Sequence, residues 1–183
     1  FIPGILISIV TFPGVIVHEL AHQLICRLMG VPVFGVKYFQ MKNPSGYVVH
    51  EASSKPFTNF MIAVGPFLIN TLVGACLMFP ASNVFSEFGG FQNASLWHNA
   101  LMILSYWLGV SILMHSFPST GDAKAMVHSI LKNKEVNLLV RILVAPVVGL
   151  IYLGALGPMF WLDLGYALLL AFLLPKGLAL LVR

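Results

Sequence analysis

The sequence predicts an all-α polytopic membrane protein: about five transmembrane helices, with a small β-hairpin or sheet on the cytoplasmic side after the first. Three observations carry that prediction. Of the 183 residues 58% are hydrophobic and only 9% charged, too little polar material to cover a water-facing globule. The mean hydropathy is +0.92. The apolar residues also gather in long runs, several of which approach or exceed the roughly 20 residues a helix needs to cross ~30 Å of hydrocarbon.

The runs fall at about 2–29, 57–80, 96–117, 138–157 and 160–181. The first could begin as a signal peptide, but Phe1 to Val17 has neither a basic leading region nor a small-residue cleavage site and is read as mature structure. It ends at Gly30-Val31-Pro32, a helix-stopping sequence. Val33 to Phe39 and Gly46 to His50 are β-prone and are separated by the turn-forming Asn43-Pro44-Ser45-Gly46, so a hairpin at the membrane surface is expected. The later breaks lie at 81–93, at Pro118 to Lys134 and at Gly157-Pro158. No internal repeat or soluble module interrupts the chain, so 1–183 reads as one transmembrane domain, with a motif-bearing core over about 1–131 and two further helices over 138–181.

The ten basic residues divide by side. Arg27, Lys37, Lys42 and Lys55 flank the first loop, Lys124, Lys132, Lys134 and Arg141 the third, and Lys176 and Arg183 the C-terminus. The second loop and the fourth turn have none, so the positive-inside rule makes the basic loops cytoplasmic and starts Phe1 outside. The net charge of +4 therefore reports topology, and no nucleic-acid partner is implied. Cys26 and Cys76 stand alone in apolar stretches. They indicate packed thiols, not a disulfide framework or a thiolate zinc site.

His18-Glu19-Leu20-Ala21-His22 carries the chemistry. On a helix, histidines at i and i+4 share a face and can bind one Zn²⁺, and the intervening glutamate can reach a water held by the metal. The division of labour is physical: the metal acidifies water, while a carboxylate takes its proton and passes it to the leaving amine. Charged groups at membrane depth cost about 2.5–3.5 kcal/mol each on insertion scales, a cost that a bound metal offsets. With the helix ending near Gly30, His22 lies ~12 Å from its cytoplasmic end.

Catalytic zinc sites usually combine three protein ligands with a water, which leaves one ligand to find. Glu87 and Asp163 belong to the other side, Glu135 to a charged loop, and Glu51 to the end of the hairpin. Asp122 follows Phe117-Pro118-Ser119-Thr120-Gly121, where the chain leaves the third span, bends and begins a short helix beside the first. A carboxylate there can point back at the metal, or it can simply be a helix N-cap. His50, His98 and His128 read as surface or interfacial residues. Asn70 either bonds a substrate strand or bridges to a neighbouring helix.

These residues resemble the site-2 protease (M50) family of intramembrane zinc metalloproteases over about Phe12 to Met126. HExxH in a transmembrane helix, Gly46-Tyr47-Val48 at the end of a small sheet, and Ala63-Val64-Gly65-Pro66 in the next helix occur in that family's order. The resemblance implies Zn²⁺ on His18, His22 and Asp122, with Glu19 as general base. The implied reaction is hydrolysis within transmembrane segments of membrane-tethered proteins in a multi-pass protein of the cell membrane, with the site nearer the cytoplasm. The last segment departs from the family's Asn-x-x-Pro and Asp-Gly pattern, having His115-Ser116-Phe117-Pro118 and Gly121-Asp122-Ala123 instead. His115 in the asparagine position could donate to a tetrahedral oxyanion, or be a fourth ligand that closes the site.

Three rivals remain at this stage. A catalytically silent homologue would bind client helices, and a metal transporter would use His18, His22, Asp122 and His115 as a transit site. A membrane peptidase acting on prenylated proteins would take Glu135 as its downstream glutamate ligand. Oligomeric state is not legible.

Overall fold

The computed structural model describes residues 4–87, 95–156 and 161–181, with side chains omitted over 79–87 and 174–181. Its helices are α1 (Gly4–Val10), α2 (Phe12–Leu28), α3 (Pro56–Glu87), α4 (Leu96–Met114), α5 (Thr120–Met126), α6 (Leu138–Ala155) and α7 (Leu162–Leu181). A π-helical turn, Val127–Leu131, continues α5. Strands β1 (Val33–Lys37) and β2 (Tyr47–His50) form the hairpin. They pair antiparallel with Val36 opposite Val48 and Lys37 opposite Tyr47, and an irregularity follows Val33.

The membrane character holds in coarse form. Pro56–Met78, Leu96–Met114 and Leu138–Ala155 are each long and apolar enough to cross a bilayer, and the α1–α2 pair makes a fourth candidate if counted as one broken span. Within α7 the described apolar stretch, Leu162–Leu173, is shorter than a crossing requires.

The expected first span is not one helix. It breaks at Thr11, and α1 stands at 89° to α2. Pro13, in the first turn of α2, fits a helix start. A break frees carbonyls that need donors, and α4 supplies them from one face. Trp107 Nε1 donates to the Val10 carbonyl at 3.1 Å and Ser111 Oγ to the Thr11 carbonyl at 2.9 Å. Gly14 makes this approach possible: a Cβ there would lie 2.0 Å from the Ser111 carbonyl oxygen.

Between α2 and α3, Ile25 and Cys26 pack with Val31 and Ile62. The other thiol, expected to be packed, is exposed: Cys76 lies on the outer face of α3, where an apolar bilayer needs no protein neighbour. α6 reaches α3 through Val148 and Ile151 against Ala63 and Val64. α7 meets α3 further along, where the Tyr166 and Thr71 hydroxyls lie 2.8 Å apart and Ala167 joins Met78 and Leu113. Phe117, which packs edge-on against Tyr166, fills the space beside Gly154. The described parts of α6 and α7 therefore follow α3 in succession.

Candidate metal centre

His18 and His22 lie one turn apart on α2, with ring centroids separated by 4.9 Å. Both are buried. Each ring is oriented by a main-chain carbonyl from a different helix. His18 Nδ1 lies 2.7 Å from the His115 carbonyl at the end of α4, and His22 Nδ1 lies 2.9 Å from the Ile62 carbonyl of α3. A carbonyl only accepts, so both Nδ1 atoms carry a proton, and in the neutral ring each Nε2 is left with its lone pair for a metal. Histidines that bind metals are usually held this way by partners behind the ring.

Asp122 completes the cluster. One ligand atom from each of His18, His22 and Asp122 lies within 4.8 Å of the others, and among the described residues no other group of three potential ligands does so. Asp122 Oδ2 is 3.4 Å from His22 Nε2, about the edge of a tetrahedron with metal–ligand bonds of ~2.0–2.1 Å. Two neutral imidazoles and a carboxylate fit a divalent first-row metal, and in a tetrahedral arrangement they suit zinc.

The N-cap of α5 is Ser119, not Asp122. Asp122 is the third helical residue of a capping box, and Ser119 Oγ donates to Asp122 Oδ2 at 2.6 Å while accepting from the Asp122 amide. Burial pushes this carboxyl up, but His22, Ser119 and His18 outweigh it and hold it below the usual carboxylate range. Capping and clustering thus use the same carboxylate.

Glu19 is buried against the hairpin: a Cβ on Gly46 would fall 2.6 Å from Glu19 Cγ and 2.9 Å from its Oε1. The bare glycine just before β2 makes room for this side chain.

His115 takes a different place from its neighbours. Its Nε2 lies 2.8 Å from Thr11 Oγ1, and that hydroxyl already donates to the Ile7 carbonyl, so the imidazole is the donor. The ring is outside the His18–His22–Asp122 group. What reaches the site is the His115 carbonyl, which also accepts from Asn70 Nδ2 at 3.0 Å. Asn70 is fully buried and bridges helices, its amide also lying 3.3 Å from the Ile112 carbonyl and 3.4 Å from that of Gly14.

Of the remaining candidates, Glu51 and Glu135 are exposed, Asp163 is buried at the start of α7, and none joins the cluster. His50 bonds the neighbouring Glu51 carbonyl, and His98 and His128 are exposed. Glu87 lies where side chains are not described. The sequence reading missed the support set of Thr11, Trp107 and Ser111. The last two share an α4 face with His115 at four-residue intervals, a polar stripe in an apolar helix that was there to be read.

Comparison with protein-family models, curated proteins and solved structures returns no match. The fold and the cluster therefore define the class only as a mostly helical, membrane-type chain with a His/His/Asp group able to hold a metal ion.

Proposed function

We propose that this chain is an intramembrane zinc endopeptidase of the site-2 protease type. In this reading it is a multi-pass protein of the cell membrane with about five membrane segments, counting the bent α1–α2 pair as one and α7 as another, and its site lies nearer the cytoplasm. The observation that carries the reading is the paired orientation of His18 and His22. Both Nδ1 atoms are tied to carbonyls and both Nε2 atoms are left toward Asp122, with Glu19 one residue after the first histidine.

His18, His22 and Asp122 would hold the metal, which supplies Lewis acidity and makes water a nucleophile near neutral pH. Glu19 accepts the proton of the attacking water and returns it to the leaving amide nitrogen. The hairpin holds Glu19 through Gly46, and it also offers an edge. A helical substrate hides its carbonyls in internal hydrogen bonds and must unwind before it can be cut. An opened segment laid along a strand edge near Val48 stays extended through main-chain bonds. In this scheme His115 is a positioning residue: its ring anchors on Thr11 and its carbonyl sets His18. The substrates are transmembrane helices of other membrane proteins.

Purified protein in detergent or bilayers, assayed on a panel of transmembrane-helix substrates with bound zinc measured in parallel, tests the proposal. Wild type should cut. Glu19→Gln should retain zinc and lose at least ~100-fold in rate, and Asp122→Ala should lose zinc. Well-folded wild type without zinc overturns the metal assignment, and a Glu19→Gln variant that cuts normally overturns the catalytic one.

A further inference from the structure

A second region of interest lies outside the His18–His22–Asp122 cluster. A cavity of about 770 Å³ opens between the α5–π segment and α6. One wall carries two cations, Lys124 and Lys132, with His128 midway between them at four-residue intervals, and all three line the cavity. The opposite wall is apolar, made by Val148, Tyr152 and Leu153 of α6, with Val127 and Leu131 beside them. A second cavity, about 450 Å³, adjoins it and shares His128 and Lys132. That one is the more polar of the two, lined by Ser53, Asn59, Ser129 and Lys134 among others, and lies beside Pro56, where α3 begins.

The pair of cavities is amphiphilic and directional. The polar cup sits at the start of α3, where that helix would enter the hydrocarbon. The apolar slot runs along α6, whose Val148 and Ile151 pack on Ala63 and Val64, deeper along α3. Among the described residues none of Lys124, Lys132 and Lys134 forms an ion pair. The nearest carboxylates in sequence are otherwise placed: Asp122 faces His22, and Glu135 is exposed and lines neither cavity. Unpaired cations above an apolar slot complement a ligand with an anionic head and a hydrocarbon tail.

The geometry points to a binding site for an anionic phospholipid, its phosphate held at the junction by Lys132, Lys134 and His128 and one acyl chain laid in the slot against α6. Lys and Arg close to a membrane surface each contribute roughly five-fold to binding of anionic lipid. Gly149 offers a clean probe of the tail, because a Cβ there meets nothing within 4 Å. A side chain at that position starts in open space on the lining of the slot. The site stands apart from the proteolytic reading, since its test is binding alone.

The full chain, purified in detergent, would be titrated with phosphatidylglycerol, phosphatidylcholine and glycerol phosphate, with retained lipid read by native mass spectrometry. Phosphatidylglycerol should bind at least ten-fold tighter than phosphatidylcholine. Lys132→Gln with Lys134→Gln should remove most of that preference. Gly149→Leu should weaken both phospholipids while leaving the unfolding midpoint within a few degrees of wild type. Equal binding of the two phospholipids overturns the site. Unchanged binding in Gly149→Leu overturns the slot, as does glycerol phosphate binding as tightly as the whole lipid. Should the double lysine variant fail to fold, Lys132→Gln alone carries the charge arm, with a loss of about five-fold expected and no loss counting against the proposal.

Discussion

The two sides of the His18–His22–Asp122 cluster are held by different means. His18 and His22 sit on a helix packed between α3 and α4, and the back of each ring is fixed by a carbonyl that a neighbouring helix presents. Asp122 stands on a seven-residue helix, with 28% of its side chain exposed and Ser119 as its immediate support. A helix that short has no stability of its own and depends on its cap and on Met126 packing against α3 and α6. The histidine side is therefore preset by the fold, whereas the carboxylate side can adjust by small movements of α5. Perturbing the first should damage the whole molecule, and perturbing the second should change mainly affinity.

The sharpest way to break that contrast is at Gly14. Gly14→Ala places a methyl group 2.0 Å from the Ser111 carbonyl oxygen and 2.6 Å from the His115 ring, so α2 and α4 must part, at a cost of about 3 kcal/mol. Thermal unfolding in detergent should show a large drop in midpoint together with loss of metal, and a near-native midpoint would mean the two helices are not locked.

Asn70→Ala acts one step further from the metal. It removes a second donor from the buried carbonyls of Ile112 and His115, which keep the His115 amide and His18 Nδ1 respectively, costing about 0.5–1.5 kcal/mol. With the His115 carbonyl held by one partner fewer, zinc affinity should fall ~10–100-fold, as for loss of other supports behind a metal-bound histidine. Competition with a chromogenic chelator measures it, and unchanged affinity would remove Asn70 from the support set.

Gly46→Ala separates the base from the ligands. The methyl meets Glu19 Cγ at 2.6 Å and must displace that side chain while touching neither histidine. Cleavage should fall about ten-fold or more with zinc content unchanged, and a parallel loss of zinc would show that Glu19 and the ligands move together. The mildest change is on the adjustable side. Ser119→Ala removes the cap of α5, worth about 1 kcal/mol, and should weaken zinc by several-fold with little effect on unfolding. An effect as large as that of Asn70→Ala would mean the carboxylate side is as fixed as the histidine side.

What the sequence disclosed follows the same division. His18, Glu19 and His22 were legible because their grouping is a local property of helical spacing. Asp122 was reached by eliminating the other carboxylates and by resemblance, with a helix N-cap as the alternative; the cap is Ser119, three residues earlier, and Asp122 is its partner in the capping box. The hairpin was expected from β-prone runs, and it formed with nearly those strands. The break at Thr11 was not legible, because hydropathy cannot register that Trp107 and Ser111, nearly a hundred residues away, provide for the freed carbonyls. For the same reason no side-chain signal announces that the carbonyls of Ile62 and His115 orient the two histidine rings. His115 drew notice for its imidazole, and it is the main-chain oxygen that touches the site.

The bend at Thr11 also bears on the surrounding lipid. The 17 residues of α2 rise about 26 Å, short of the ~30 Å of an average hydrocarbon layer. α1, turned almost at right angles, adds nothing to that height. A bilayer closing around α2 must thin by a few ångströms or leave the helix ends mismatched, and thinning shortens the distance water travels to Glu19. Unfolding midpoints in phosphatidylcholines of increasing acyl length should therefore decline toward the longer chains. A flat series would place the mismatch elsewhere. With a declining series, the short α2 acts as a local dimple in the membrane, bringing the aqueous phase toward a buried carboxylate without a channel through the protein.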